Sequence, residues 1–330
     1  MQKHPSATSA KLAARIRHGF HFTDTWHPWV AAAAIALAAC GAAPPTSSSN
    51  ATSVAFPVTI NEAAGATVTI AKQPHRIVSL SPTATEMLYA INAGAQVVAV
   101  DEQSNFPANA PTTKLSGFTP NIESIASYNP DLVVASDDAS GLVHGLGALN
   151  IPTLIEPAAK HLADTYAQIT QLGAATGHAA EADSVDTKMR SDIAGIVGSV
   201  SKPSRTLSVY HELDDTYYSA TSNTFIGQAY VLFGLKNIAD GATATAPDYP
   251  QLSAEYVVAS SPDLIVLGDT KCCHQDIHSV GARPGWSSIS AVKSGQVVGV
   301  DDDVASRWGP RVVDFLRLIA PHVRVLETSS

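Results

Sequence analysis

The chain has 330 residues, 20 Lys and Arg against 29 Asp and Glu, a formal net charge of −9, and three cysteines. That length accommodates two domains of ordinary size. The acidic balance excludes a general nucleic-acid binder, which needs a basic face, and so few cysteines exclude a disulfide scaffold. After residue 40 no apolar run is long enough to span a bilayer, so the body reads as soluble.

The first stretch is basic through Lys3, Lys11, Arg15 and Arg17, and is followed by an apolar, alanine-rich run from Trp29 to Ala39. This is the pattern of a secretory signal, placed at 1–39. The ending Leu37-Ala38-Ala39-Cys40 is similar to a bacterial lipoprotein signal, which implies cleavage before Cys40 and its acylation. A signal cut near Ala39 without lipid, or an N-terminal membrane helix, is the alternative. Residues 40–54 are rich in Ala, Pro, Ser and Thr and fit a flexible tether.

The body starts with Val58–Ile60 and Val68–Ile70, two short β runs flanking a turn of Asn, Ala and Gly. Arg76–Leu80 reads as a strand. Thr83-Ala-Thr-Glu86 has the form of a capping box for a helix with Met87, Leu88 and Ile91 on its apolar face and Gly94 at its end. Gln96–Val100 is the next strand, and Ile151–Ile155 a later one. Strand and helix in alternation predict α/β architecture with a mostly parallel sheet. Ligands of such sheets bind beyond the carboxyl ends of the strands. The loops at Ser81–Thr83, Gln103–Phe106, Phe118 and Ser136–Asp138 are therefore expected to form one wall of a cleft.

Helical periodicity runs from Leu162 to Val200 and breaks at Gly177-His178. It leads into a strand at Thr206–Tyr210, so one long, rigid helix is expected to join two lobes. His211-Glu212 follows that strand, with Asp215 where a zinc-protease motif needs a second histidine. His211 reads as a loop residue able to reach a ligand, and Tyr217 and Tyr218 as residues that either overhang the cleft or lie on the surface. A helix is predicted over Asn223–Leu235. Cys272-Cys273-His274 and His278 form the group most suggestive of a metal. The C-x₂-C spacing is absent, however, and no metal site is assigned; in an exported protein the two cysteines could form a vicinal disulfide. Gly281–Trp286 reads as a turn into a short helix at Ser288–Val292, Gln296–Val300 as the last strand, and Asp301-Asp302-Asp303 as a capped strand–helix turn. Val312, Phe315, Leu316 and Ile319 give the final helix its core face.

One unit occurs twice. Residues 121–136 and 253–268 align without a gap, Glu123 on Glu255 and Pro130-Asp131-Leu132 on Pro262-Asp263-Leu264. Asn121 and Ser253 are suited to helix N-caps, the glutamates to first turns, and Leu132–Ala135 and Leu264–Leu267 to buried strands. The repeat predicts two similar lobes, with boundaries at 55–158, 159–203 for the connecting helices, and 204–330.

Arg76-Ile-Val-Ser-Leu-Ser-Pro-Thr-Ala-Thr-Glu86, the two glutamate units, Arg283-Pro-Gly-Trp286 and Gly309-Pro-Arg311 resemble the periplasmic-binding-protein family that serves importers of iron–siderophore, haem and cobalamin. The resemblance implies a class III substrate-binding protein with ligand held between two α/β lobes. It also implies that Glu123 and Glu255 dock on arginines of an ABC permease dimer with its ATPase, the protein being held to the extracytoplasmic membrane face by lipid. Leu80–Glu86, Phe106-Pro107 and Phe118 are most similar to the cobalamin-binding branch. By that likeness Gln103, Phe106, Phe118, Ser136, Asp303 and Arg307 fall among ligand contacts, although Gln103 and Ser136 stand where large aromatics are expected. The vicinal cysteines lie outside the branch pattern. A ferric siderophore, met by Arg307, or haem, ligated by Tyr218 or His211, is the alternative. An exported hydrolase lacks support, since there is no Gly-x-Ser-x-Gly, His-Glu-x-x-His or phosphate loop; a non-transport sensor is a further alternative. No cofactor, catalytic residue or nucleic-acid partner is expected.

Overall fold

The computed structural model describes residues 55–62, 65–201, 204–242 and 248–328. The signal, the Cys40 lipidation site and the tether through residue 54 lie outside the described residues.

The chain opens with an antiparallel hairpin of β1 (Val58–Asn61) and β2 (Thr67–Ile70). The first lobe follows as β3 (Ile77–Leu80), α1 (Pro82–Ala90), β4 (Val97–Val100), α2 (Ile122–Ala126), β5 (Leu132–Ala135), α3 (Leu142–Gly147) and β6 (Thr153–Ile155). Its four strands are parallel, in the order β4-β3-β5-β6. The connector is α4 (Leu162–Thr176) and α5 (Ala179–Gly198). The second lobe comprises β7 (Ser208–Glu212), α6 (Phe225–Val231), β8 (Lys236–Asn237), α7 (Ala254–Ser260), β9 (Leu264–Leu267), α8 (Ile277–Gly281), α9 (Ser290–Lys293), β10 (Val297–Gly299), α10 (Asp302–Ser306) and α11 (Val312–Thr328). Its sheet runs β10-β9-β7-β8, again all parallel. Numbered within each lobe, both sheets have the order 2-1-3-4. The duplication seen in the glutamate units is thus a duplication of topology.

The aspartate of the Pro-Asp-Leu turn explains why the unit recurs. The Asp131 carboxylate accepts from the backbone N–H groups of His75 and Arg76, both at 2.8 Å, and so fixes the start of β3. Asp263 accepts from Ser208 N at 2.8 Å at the start of β7, and from Arg205 at 3.0 and 2.8 Å. In each lobe one side chain sets the register of the third strand against the first. The caps also match: Asn121 Oδ1 accepts from Ser124 N at 2.8 Å, and Ser253 Oγ from Tyr256 N at 3.1 Å.

Several local expectations are corrected. The first helix is capped by Ser81, with Pro82 in its first turn, not by a Thr83–Glu86 box, and Glu86 is buried. Its end is set by Asn92, at φ 64°, before Gly94 is reached. The helix predicted over Asn223–Leu235 closes at Val231, and Lys236–Asn237 is a strand. A short helix, α10, intervenes before α11. The helical connector bends sharply at Gly177, whose φ of 82° suits a residue without Cβ. It is a hairpin of two packed helices: α4 lies on α1 and β1, and the long helix α5, 20 residues, lies on α4 and α11. One apolar core runs from Ile60 and Met87 through Ile169, Leu172 and Ile193 to Phe315, Leu316 and Val323. Separate clusters fill the outer side of each sheet, one around Ile125, Val133 and Leu146, the other around Val257, Ile265 and Trp286. Among the described residues no helix is long and apolar enough to cross a membrane.

Candidate functional site

In a 2-1-3-4 parallel order the chain reverses direction across the sheet between its first and third strands, and the crevice beyond their carboxyl ends is the natural ligand site. In the first lobe these are the ends of β3 and β5, which carry Ser81 and Ser136. Gly117 packs against β3 so closely that an added Cβ would lie 2.5 Å from Leu80 O. Phe118, next in the chain, is thereby held at the same end, with 81% of its surface exposed. Phe106 is also exposed, and its ring lies 4.4 Å beneath the Arg311 guanidinium. That cation–π contact fixes the ring at the junction of the lobes. Gln103 is exposed beside it, and Ser136 is half-buried.

In the second lobe Tyr218 is exposed just beyond β7, where its carbonyl accepts from Leu213 N at 2.9 Å. Ser219 N in turn donates to Pro250 O at 2.9 Å, which brings exposed Tyr249 alongside. Tyr249 was not singled out from sequence: the pairing of its loop with Tyr218 is tertiary, and no local pattern signals it. The two lobes therefore present exposed aromatic rings at corresponding ends of their sheets. Flat apolar faces with a few polar groups are suited to a large, partly planar ligand.

The polar residues between the lobes are engaged with one another. Glu86 is 3% exposed and receives Arg307 Nη1 at 2.7 Å, Arg311 Nε at 2.8 Å, and Arg311 Nη2. Arg307 also donates to Asn105 Oδ1 at 3.0 Å, to Gln103 O at 2.9 Å and to Asp303 Oδ1 at 2.9 Å. With 8% of its surface exposed and its donors directed at these protein acceptors, Arg307 ties the two lobes together. Asp303 is half-buried and accepts from Asn105 Nδ2 of the first lobe at 2.9 Å and from Lys271 Nζ at 2.8 Å. Burial opposes its charge, but the hydrogen bonds from Lys271 and Asn105 hold its carboxyl below the usual range. A further tie runs through Trp308, whose Nε1 donates to Gln168 Oε1 at 3.0 Å while its carbonyl accepts from Thr165 Oγ1 at 2.9 Å.

His211 is corrected most. It lies within β7, not in a loop, and is 0% exposed. Its Nδ1 is 2.6 Å from Tyr230 Oη and its ring packs edge-on to Phe315. Burial pushes its pKa down to about 3, so the ring is neutral. Glu212 beside it is equally buried and is held by Arg283 through two bonds, 2.7 and 2.6 Å, and by Tyr210 Oη at 3.1 Å. The Arg283 guanidinium stacks 4.5 Å over Trp286. The Arg283-Pro-Gly-Trp286 motif is therefore a structural plug beneath the second sheet's carboxyl end. Asp269, against this group, has its pKa raised to about 7 by burial and then by Glu212.

Glu123 and Glu255 are exposed in the first turns of α2 and α7 and form no ion pair among the described residues. His274 sits at φ 55° outside α8, so it shares no helix face with His278. Cys272 and Cys273 are free thiols. Among the described residues no group of three or more His, Cys, Asp or Glu is placed to hold a metal.

These features are those of a two-lobed α/β protein with exposed aromatic side chains at the strand ends. The chain belongs to the periplasmic binding protein family, whose model matches residues 77–304. It is 32% identical over 303 residues to an ABC transporter substrate-binding lipoprotein of Bacillus subtilis, YvrC, covering 88% of this chain and 94% of that one. It is 31% identical over 273 residues to a cobalamin-binding protein of Halobacterium salinarum, covering 80% of this chain and 73% of that one. Among solved structures, the vitamin B12 binding protein BtuF of Vibrio cholerae superposes with a TM-score of 0.64 at 22% identity, over 76% of this chain and 97% of that one. The haem-binding protein RhuT of Roseiflexus gives 0.67 at 22% identity, over 76% and 98%. Likeness at this identity establishes the class III fold and no ligand.

Proposed function

We propose that the chain is the lipid-anchored extracytoplasmic subunit of an ABC importer and that it captures a corrinoid between its lobes. The observation that carries the ligand class is the placement of Phe106 and Phe118 at one sheet's carboxyl ends and Tyr218 and Tyr249 at the other's, all exposed. The names of the Bacillus and Halobacterium relatives support the same reading. The siderophore alternative is weakened because Arg307, its named cation, is committed to Glu86. Of the two haem ligands considered, Tyr218 is exposed and His211 is enclosed. Glu123 and Glu255, exposed and at equivalent places on the two lobes, are the groups proposed to meet the permease. Exposed charges of this kind steer and orient an encounter. Anchoring at Cys40 completes the reading.

The test is calorimetric titration of the protein with cyanocobalamin, haemin and a ferric hydroxamate in parallel. One-to-one binding of cyanocobalamin at micromolar or tighter affinity is expected, with weaker response to the others. Preference for haemin or the ferric complex would overturn the corrinoid assignment. Glu123→Arg with Glu255→Arg should abolish uptake into cells while leaving the titration unchanged; undiminished uptake would remove the docking role.

A further inference from the structure

The loop after β9 carries adjacent free thiols, Cys272 exposed and Cys273 half-buried, and nothing in the ligand reading uses them. Their loop is tied to the second lobe's contact with the first. The Asp302 carboxylate accepts from Cys272 N and Lys271 N, both at 2.9 Å, and from Thr270 Oγ1 at 3.0 Å. Lys271 Nζ lies 2.7 Å from Asp301 and 2.8 Å from Asp303. Asp303 in turn holds Asn105 of the first lobe. On the other side, Cys273 N donates to Asp269 O at 3.2 Å.

We propose that Cys272 and Cys273 form a reversible modification site, closing to a vicinal disulfide by exchange with a low-molecular-weight disulfide, and that closure loosens Asn105 from Asp303. The inference takes the oxidising surroundings from the proposed extracytoplasmic location but does not depend on the ligand. In the first step the Cys273 sulfur attacks the oxidant, whose S–S bond breaks to give a mixed disulfide and one released thiol. In the second the Cys272 sulfur attacks Cys273, expelling the second thiol. The protein pair loses two electrons and two protons; the oxidant gains both, as two thiols. Burial and the neighbouring thiol raise the Cys272 pKa, which makes it the poorer first nucleophile; it gives up its proton as it attacks in the second step. The mechanical consequence follows from size. Disulfides ordinarily join Cα atoms about 4.4–6.8 Å apart, whereas successive Cα atoms are about 3.8 Å apart. Closure therefore twists the Cys272–Cys273 peptide, next to the N–H that Asp302 holds.

The experiment uses the full-length chain carrying Cys40→Ser, so that only the pair reacts, treated with glutathione disulfide and no corrinoid. Intact-mass measurement should show loss of two hydrogens with no glutathione retained, reversed by dithiothreitol. Hydrogen exchange at residues 102–105 should quicken roughly three- to tenfold, the ratio expected for losing one hydrogen bond. Cys272→Ser should instead retain glutathione on Cys273 and leave that exchange unchanged. A retained adduct or unreacted thiols in the parent would overturn the site. Closure with faster exchange confined to 269–276 would overturn the coupling. Because no corrinoid is present, either failure leaves the importer reading standing, and absence of corrinoid binding leaves this one testable.

Discussion

Glu86 is the residue whose replacement should weaken the molecule most for the fewest atoms changed. Its carboxylate is enclosed and takes hydrogen bonds from Arg307 Nη1, Arg311 Nε and Arg311 Nη2, all from the opposite lobe. In Glu86→Gln the negative charge is lost, and the amide presents its own donors to one guanidinium. Hydrogen bonds to charged groups contribute about 1.5–3 kcal/mol each, and removing one partner of a buried pair costs about 3–5 kcal/mol. A loss of about 3–4 kcal/mol is expected, toward the lower part of that range because Arg307 retains Asp303 and Arg311 is partly exposed. Arg311→Ala alone should cost about 2 kcal/mol, since Glu86 keeps Arg307. The double variant should show a coupling energy of about 1.5–3 kcal/mol, as expected for groups in direct contact. Urea unfolding followed by tryptophan fluorescence measures all three at pH 7. Coupling below about 0.5 kcal/mol, or a Glu86→Gln loss under about 1 kcal/mol, would refute the tie between the lobes.

Glu156 is enclosed, and burial, with Glu62 second, pushes its carboxyl up to about 9. Its folded value lies above the unfolded value of about 4.3, so the folded state binds the extra proton. Stability is therefore lost as pH rises between about 4.3 and 9. Glu156→Gln should abolish that slope, gaining up to about 5 kcal/mol over the parent by pH 8 and nothing at pH 4; parallel pH–stability curves would contradict this. Asp263 has the opposite sign: burial opposes its charge, but Arg205 and the Ser208 N–H outweigh it and hold the carboxyl low. Asp263→Asn should cost about 1–3 kcal/mol at neutral pH, the difference vanishing as acid titrates the parent below about pH 4. Phe118→Ala should weaken cyanocobalamin binding about fivefold to thirtyfold, from roughly 1–2 kcal/mol of lost ring burial, with the melting temperature unchanged; equal affinity would remove Phe118 from the site.

The sequence by itself determined the two-lobed α/β plan. The repeat at 121–136 and 253–268 places cap, glutamate, proline turn and apolar strand alike in both lobes, and caps and apolar runs are local properties that the chain carries wherever it folds. Leu132–Ala135 and Leu264–Leu267 are strands over those residues. The break at Gly177 was equally legible. Only the tertiary structure decided what the buried charges do. Glu86 looked like a capping residue because its spacing from Thr83 fits one, yet its partners lie more than 220 residues away. His211 looked like a loop residue because a polar pair seemed to end the strand; Tyr230 and Phe315 enclose it instead. Asp131 and Asp263 recurred in the sequence with no stated purpose until their carboxylates were seen on the first strand of each sheet. Tyr249 joins Tyr218 only through the pairing of two loops. Propensity and periodicity act over a few residues, so they fix elements. Desolvation and ion pairing depend on which distant groups are brought together, so they are settled only when the lobes pack.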